Sequence, residues 1–252
     1  MKKSSKYVNK IRSTNVYDVA LKSPITKAVG LSLQYGNNIL LKREDMQPVF
    51  SFKLRGAYNK LSKLHKKGIT KPVFAASAGN HAQGVAFASL KLGLKATIVM
   101  PVTTPSIKID SVKRLGAKVI LQGDNFDEAF KFGKDLAKKK KATFIHPYDD
   151  PDVIAGQGTI GMEILDALDS NIDSIFVPVG GGGLLAGVGA YVKSINPKIK
   201  IYGVEPEDAA CLDAAVKANK RVSLKEVGLF ADGVAVKQIG KTTYSLIEEW
   251  ID

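Results

Sequence analysis

Four consecutive glycines, Gly180 to Gly183, separate the apolar run Phe176 to Val179 from a helical pattern that opens at Leu184. Glycine in regular structure costs about 0.5–1 kcal/mol against alanine, so such a run persists where something offsets the loss. A bound anion does so. With no Cβ in the way, a phosphate presses against successive backbone N–H groups at the start of the next helix, where the dipole also favours negative charge. No Gly-Lys-Ser or Gly-Lys-Thr follows, which excludes a Walker loop. Gly181, Gly183 and Ala186 fit G-x-G-x-x-A, with Glu205 spaced to hold a ribose, so a dinucleotide reading stays open on this motif alone, as does a purely structural turn.

A second chemical candidate is Lys53, in Ser51-Phe52-Lys53-Leu54-Arg55-Gly56-Ala57. A lysine among small and apolar residues, its pKa lowered by burial or a neighbouring cation, becomes a nucleophile near neutral pH. A surface lysine at a helix start is the alternative. A third segment, Ser77-Ala78-Gly79-Asn80-His81-Ala82-Gln83-Gly84, sets polar side chains and free N–H groups on a strand-to-helix turn, where Asn80 is also suited to cap the helix. His65, His81 and His146 show no ligand spacing and none is assigned to catalysis, and Cys211 is the only cysteine, so neither a disulfide nor a cysteine-rich zinc site is expected.

These segments need elements to hold them. From Lys71 onward, short runs read as strands: Val73 to Ala76, Ala96 to Val99, Lys118 to Leu121, Thr143 to Ile145, Ser174 to Val179 and Lys200 to Val204. Amphipathic stretches of helical period lie between them. The alternation predicts an open α/β fold of parallel sheet with crossover helices and a ligand beyond the carboxyl ends of the strands. Ser77 to His81 and Gly180 to Gly183 both fall at such ends and are expected to face one cleft. Turn chemistry at Gly68 to Pro72 and at His146 to Pro151 marks seams. The division expected from them is a large lobe of residues 1–70 and 149–252 around a small lobe of residues 71–148.

The chain of 252 residues carries a net charge of +13, which pulls towards nucleic acid. Its lysines are scattered over the wet faces of helices, however, and Lys138 to Lys141 closes a helix C-terminus, so no nucleic-acid partner is expected. No apolar run approaches the 18 or so residues of a membrane span. The basic N-terminus lacks the apolar middle of a secretory signal and reads as a short exposed arm, and with the single cysteine it points to the cytoplasm.

Taken together, the segments resemble the pyridoxal-phosphate enzymes of the tryptophan-synthase-β fold, fold-type II, and within them the biosynthetic threonine dehydratases. The likeness runs from Ser23-Pro24-Ile25-Thr26 through Glu44-Asp45, Ser51 to Ala57, Ser77 to Gly84, Val153 to Thr159 and Gly180 to Leu184 to Val227-Gly228-Leu229-Phe230-Ala231. It implies that Lys53 forms the Schiff base with pyridoxal 5'-phosphate, that Phe52 flanks the ring, and that Asn80 bonds the ring hydroxyl. Gly180, Gly181, Gly182, Gly183 and Leu184 would cradle the phosphate. Ser77, Ala78, Gly79, Asn80 and His81 would receive the substrate carboxylate. The implied reaction is conversion of L-threonine to 2-oxobutanoate and ammonia, the first step of isoleucine biosynthesis, with L-serine also accepted and a serine dehydratase or racemase as the alternative.

Racemases of this fold carry a second serine where this chain has Ala78, and a cation-binding carboxylate where it has Cys211. Dehydration is therefore favoured over racemisation, and because a hard cation wants oxygen ligands no metal is expected and Glu205 is read as structural. Members of the family form homo-oligomers, tetramers among them, and continue well past a segment like Trp250-Ile251-Asp252. The expectation is thus a large lobe lacking its last elements, an exposed apolar flank, no regulatory domain, and doubtful activity of this chain alone.

Overall fold

The structure, a computed structural model, describes residues 3–169, 171–228 and 230–250. Leu229 of the Val227 to Ala231 motif, and Ile251 and Asp252, lie outside them. In chain order the elements are α1 (Lys3–Arg12), β1 (Ile25–Lys27), α2 (Val29–Gln34), β2 (Leu40–Lys42), α3 (Lys53–Lys66), β3 (Val73–Ala76), α4 (Asn80–Lys91), β4 (Ala96–Met100), α5 (Ser106–Arg114) and β5 (Lys118–Leu121). They continue with α6 (Phe126–Lys139), β6 (Thr143–Phe144), α7 (Pro151–Leu168), β7 (Ser174–Pro178), α8 (Gly183–Ile195), β8 (Lys200–Val204), α9 (Cys211–Lys217) and α10 (Lys241–Ile247).

Six of the strands answer the alternating pattern. Four form a parallel sheet in the order β5-β4-β3-β6, and β7 pairs with β8 in a separate parallel ribbon. The pleat sends successive side chains to opposite faces. Val73, Ala75, Ile98 and Met100 pack with Ala82, Val85 and Ala86 of α4, while Ala76 and Val99 meet Ala129 and Phe130 of α6. A sheet covered on both faces needs apolar residues at every position, which is why these strands read as unbroken runs. The Asn125 side chain accepts the Glu128 N–H at 3.1 Å to open α6, and Lys138 and Lys139 fill its last turn, the end at which cations are favoured.

A second core gathers α7, α8, β7, α9 and α10. Asp150 caps α7 by accepting from Asp152 N at 2.8 Å, and Pro151 follows at the first helical position. Helices α7 and α8 nearly touch through glycines: a Cβ on Gly187 would stand 2.5 Å from the Ile154 carbonyl oxygen. We expect Gly187→Ala to force the helices apart and lower stability by about 1–3 kcal/mol, read as a lower denaturant midpoint at unchanged slope.

The N-terminal segment corrects one expectation. It is no exposed arm: α1 carries Tyr7 and Ile11, four residues apart on one face, into the second core, Ile11 fully buried, and packs on α7 and α8. A short antiparallel pair, β1 with β2, was also not foreseen. On the outer face of the β7–β8 ribbon, Phe176 and Tyr202 stack at 4.9 Å with both rings exposed. Among the described residues no helix is long and apolar enough to cross a membrane.

Candidate active site

Lys53 opens α3, which lies so close to α4 that a Cβ on Gly84 would stand 2.9 Å from the Lys53 backbone carbon. The side chain is directed by what surrounds it. Its Nζ donates to the Pro147 carbonyl oxygen at 3.3 Å and lies 5.3 Å from the centroid of the Phe52 ring. Burial draws the amine down from 10.5 to about 8. A carbonyl partner leaves the lone pair of the free amine available, since it compensates the ammonium only by its dipole.

Two imidazoles share this neighbourhood. Burial, then the Lys53 charge, lowers His81 to about 3, and burial lowers His146 to about 4, so both stay neutral at pH 7. His81 Nε2 lies 3.1 Å from the Ile145 carbonyl oxygen, an arrangement that requires it to be the protonated nitrogen. Nε2 is thus occupied, and what His81 offers a ligand is its backbone N–H and the lone pair of Nδ1. Asn80 does not cap α4. The cap position belongs to Gly79, whose N–H donates to Ser77 Oγ at 3.2 Å, and the exposed Asn80 side chain makes no hydrogen bond within the described residues. Ala78 presents only a methyl group there.

The glycine turn lies between β7 and α8. Gly182 holds φ at +85°, a conformation glycine adopts without the Cβ penalty, and stands as the N-cap of α8 with no side chain capping the helix. The first N–H groups of α8, Gly183 and Leu184 among them, therefore lack helical partners. Tyr148 connects the two regions. Its ring lies directly over Gly181, where a Cβ would come within 2.2 Å of ring carbon, and the preceding residue supplies the carbonyl that holds Lys53. His146 shapes this bend, its Nδ1 accepting from the N–H groups of Tyr148 at 3.3 Å and Asp149 at 2.9 Å. A desolvated amine and an uncapped glycine-lined helix start, joined by one bend, suit a small group that bears both an electrophilic carbon and an anion.

Below the site, α3 is pinned by charges. Arg55, fully buried, bonds Glu44 through Nε and Nη2, both at 2.8 Å, and Glu163 through Nη1 at 2.5 Å. Lys42 Nζ joins Glu163 at 2.6 Å and the Tyr17 hydroxyl donates to the same carboxylate at 2.9 Å. Two cations thus face two anions, the balance a buried network needs.

Glu205 accepts from Leu212 N at 2.9 Å and Asp213 N at 3.0 Å and so caps α9. Beside it, burial and the Glu205 charge push the Cys211 thiol up to about 12. Among the described residues, no group of three or more His, Cys, Asp or Glu side chains is disposed to hold a metal ion.

Pro147, Tyr148, Asp149 and Thr243 were not foreseen as parts of this region: the first three lie in a stretch that carried only turn chemistry, and Thr243 carried no local signal.

Three comparisons bear on this geometry. A family model described as pyridoxal-phosphate dependent enzyme matches residues 16–252. The chain is 58% identical over 246 residues to the chloroplastic biosynthetic threonine dehydratase 1 of Solanum lycopersicum, covering 98% of this chain and 41% of that protein. The chain thus spans less than half the length of that curated relative. Among solved structures it resembles the processed form of threonine deaminase isoform 2 from Solanum lycopersicum, at a TM-score of 0.95 and 51% identity, over 99% of this chain and 68% of that one. It also resembles maize serine racemase, at a TM-score of 0.92 and 31% identity, over 97% and 74%.

Proposed function

The chain belongs to the pyridoxal-phosphate dependent enzymes and has their fold-type II, tryptophan-synthase-β-like architecture, and on that premise we propose that it converts L-threonine to 2-oxobutanoate and ammonia, accepting L-serine as a second substrate. The observation that carries this reading is the desolvated Lys53 amine, held one residue from the ring that covers the glycine turn. In this reading Lys53 holds the cofactor's aldehyde carbon, Phe52 flanks its ring, Asn80 bonds the ring hydroxyl, and Gly180 to Leu184 take the phosphate. Pyridoxal 5'-phosphate, when bound, supplies a carbon that captures amines and a ring that accepts the charge left at an amino acid's Cα.

The chain's own residues do the rest. The turn from Ser77 to His81 offers N–H groups at the start of α4 to the substrate carboxylate, the end of a helix that favours an anion. Once the substrate's amine has taken its place, Lys53, whose pKa near 8 leaves about one-tenth of it as the free amine at pH 7, takes the Cα proton. The β-hydroxyl then departs with a proton as water, and the released aminocrotonate hydrolyses to 2-oxobutanoate and ammonia. Ala78 provides no hydroxyl to return a proton on the opposite face of Cα, which favours elimination over racemisation. In this reading residues 1–70 and 149–252 form a large lobe and residues 71–148 a small lobe with the cleft between them, and Ala57, Tyr58 and Leu61 of α3 with Val153 of α7 pack across onto the small-lobe core. The single buried thiol suits a reducing compartment such as the cytoplasm.

The full chain loaded with cofactor is expected to release 2-oxobutanoate and ammonia in equal amounts from L-threonine, pyruvate from L-serine, and no D-serine. A cofactor-loaded chain that makes D-serine but no 2-oxobutanoate overturns the assignment.

A further inference from the structure

Asp149 sits in the bend that holds Lys53, yet its carboxylate is turned to a different element. Oδ2 accepts from Lys241 N at 3.0 Å, and Oδ1 from Thr242 N at 2.7 Å and Thr243 N at 3.2 Å, so a residue some ninety positions away caps α10. Gly240, at the cap position itself, supplies no side chain, and a Cβ there would stand 2.7 Å from Asp149 Oδ1. From the start of α10 two donors reach back to the glycine turn. Thr243 Oγ1, on a fully buried side chain, donates to the Gly181 carbonyl oxygen at 2.8 Å, and Gly240 N donates to the same oxygen at 3.3 Å. Ile239 closes the contact, its Cδ1 lying 2.6 Å from where a Cβ on Gly182 would be.

The direction of that carbonyl fixes more than itself. In a planar trans peptide the C=O of one residue and the N–H of the next point opposite ways. Holding the Gly181 oxygen towards α10 therefore turns the Gly182 N–H away from α10. The torsions of glycine would otherwise leave this peptide free to flip, since nothing steric selects one orientation.

We propose that Asp149 is a positioning residue for the phosphate turn: by setting where α10 begins, it holds Thr243 and Gly240 against the Gly181 carbonyl and so fixes the orientation of the Gly182 N–H. The inference rests on the reading of Gly180 to Leu184 as the phosphate site. Its charge does not oppose that role, because three backbone N–H groups already engage the carboxylate.

The test titrates the full chain with pyridoxal 5'-phosphate and, separately, with pyridoxal, which bears the same aldehyde and no phosphate. Asp149→Asn keeps the shape but sets an amide N–H against the α10 donors. It is expected to weaken binding of the phosphorylated form about tenfold while leaving pyridoxal affinity unchanged. Thr243→Val removes only the hydroxyl link to Gly181 and is expected to show the same selective loss, and the double variant no more than either alone. Should Asp149→Asn fail to fold, Thr243→Val decides the matter by itself. Equal affinities of variant and parent for the phosphorylated form, a tighter variant, or equal losses for both probes would overturn the role of Asp149. A parent chain that does not distinguish the two probes would instead overturn the phosphate reading beneath it.

Discussion

Lys53→Met is expected to abolish turnover while making the cofactor-free chain more stable. In the proposed reading, loss of the amine removes both the cofactor's anchor and the base, so activity on L-threonine should fall by at least about 10⁴-fold, together with the absorbance that reports cofactor attached to lysine. Stability moves the other way because the folded state holds a lysine whose pKa burial has lowered from 10.5 to about 8. A group that binds its proton less tightly when folded destabilises the fold wherever both states are protonated, and that penalty disappears as pH rises through the window from about 8 to 10.5. The shift corresponds to about 3 kcal/mol at most, and the 3.3 Å bond to the Pro147 carbonyl and partial exposure reduce what is recovered to about 1–3 kcal/mol. Denaturant unfolding of cofactor-free protein should therefore show the variant ahead at pH 7 and the lead shrinking as pH rises above 8. A variant less stable than the parent at pH 7 would mean that the amine is not desolvated.

Arg55→Met is expected to have the largest cost to stability in the molecule. The substitution leaves Glu44 without its cation and Glu163 with Lys42 alone, deep in the protein, and an uncompensated buried charge costs about 3–5 kcal/mol. Acid should reveal the mechanism. Burial pushes Glu163 upward, but the hydrogen bonds and charges of Arg55 and Lys42 outweigh it and hold the carboxyl below its ordinary 4.5. A depressed carboxyl stabilises the fold above its ordinary pKa and loses that contribution as pH falls through the lowered one. Parent and variant should then differ most near pH 7, and the gap in urea midpoint should narrow below about pH 4.5. A gap that stays constant with pH would assign the loss to packing around the Arg55 stem instead.

Strands of the covered sheet were legible because burial on both faces writes itself as a local run. Val73 to Ala76, Lys118 to Leu121 and Lys200 to Val204 coincide with their strands, and the remaining boundaries shift by one residue. Strand β4 gains Met100 because it pairs with Leu121, and β6 stops at Phe144, just before the chain turns at His146 and Pro147. The N-terminal helix was hidden by composition. Six residues of lysine, serine and asparagine surround the two side chains that matter, and only a partner helix shows that Tyr7 and Ile11 share a face.

The chemistry divides the same way. Glycine runs and the lysine motif announce themselves because their residue types are unusual where they stand. Arg55 entered the sequence reading only as a member of the lysine motif, since its partner Glu163 lies 108 residues on. The bend from His146 to Asp150 looked like a boundary between lobes, and that much is what turn residues can say. That its carbonyl, ring and carboxylate serve the lysine, the glycine turn and α10 depends on elements far apart in sequence, for which no local period exists.

Lys53 and Arg55 occupy one turn of α3, one assigned to reaction in the proposed reading and the other the largest fully buried side chain among the described residues. A descendant released from selection on catalysis could therefore discard the lysine with profit to its own persistence, yet it would still be obliged to keep the arginine two positions later. In an inherited copy of Ser51 to Ala57, the arginine speaks for an intact scaffold, and under the proposed reading the lysine alone would speak for retained chemistry.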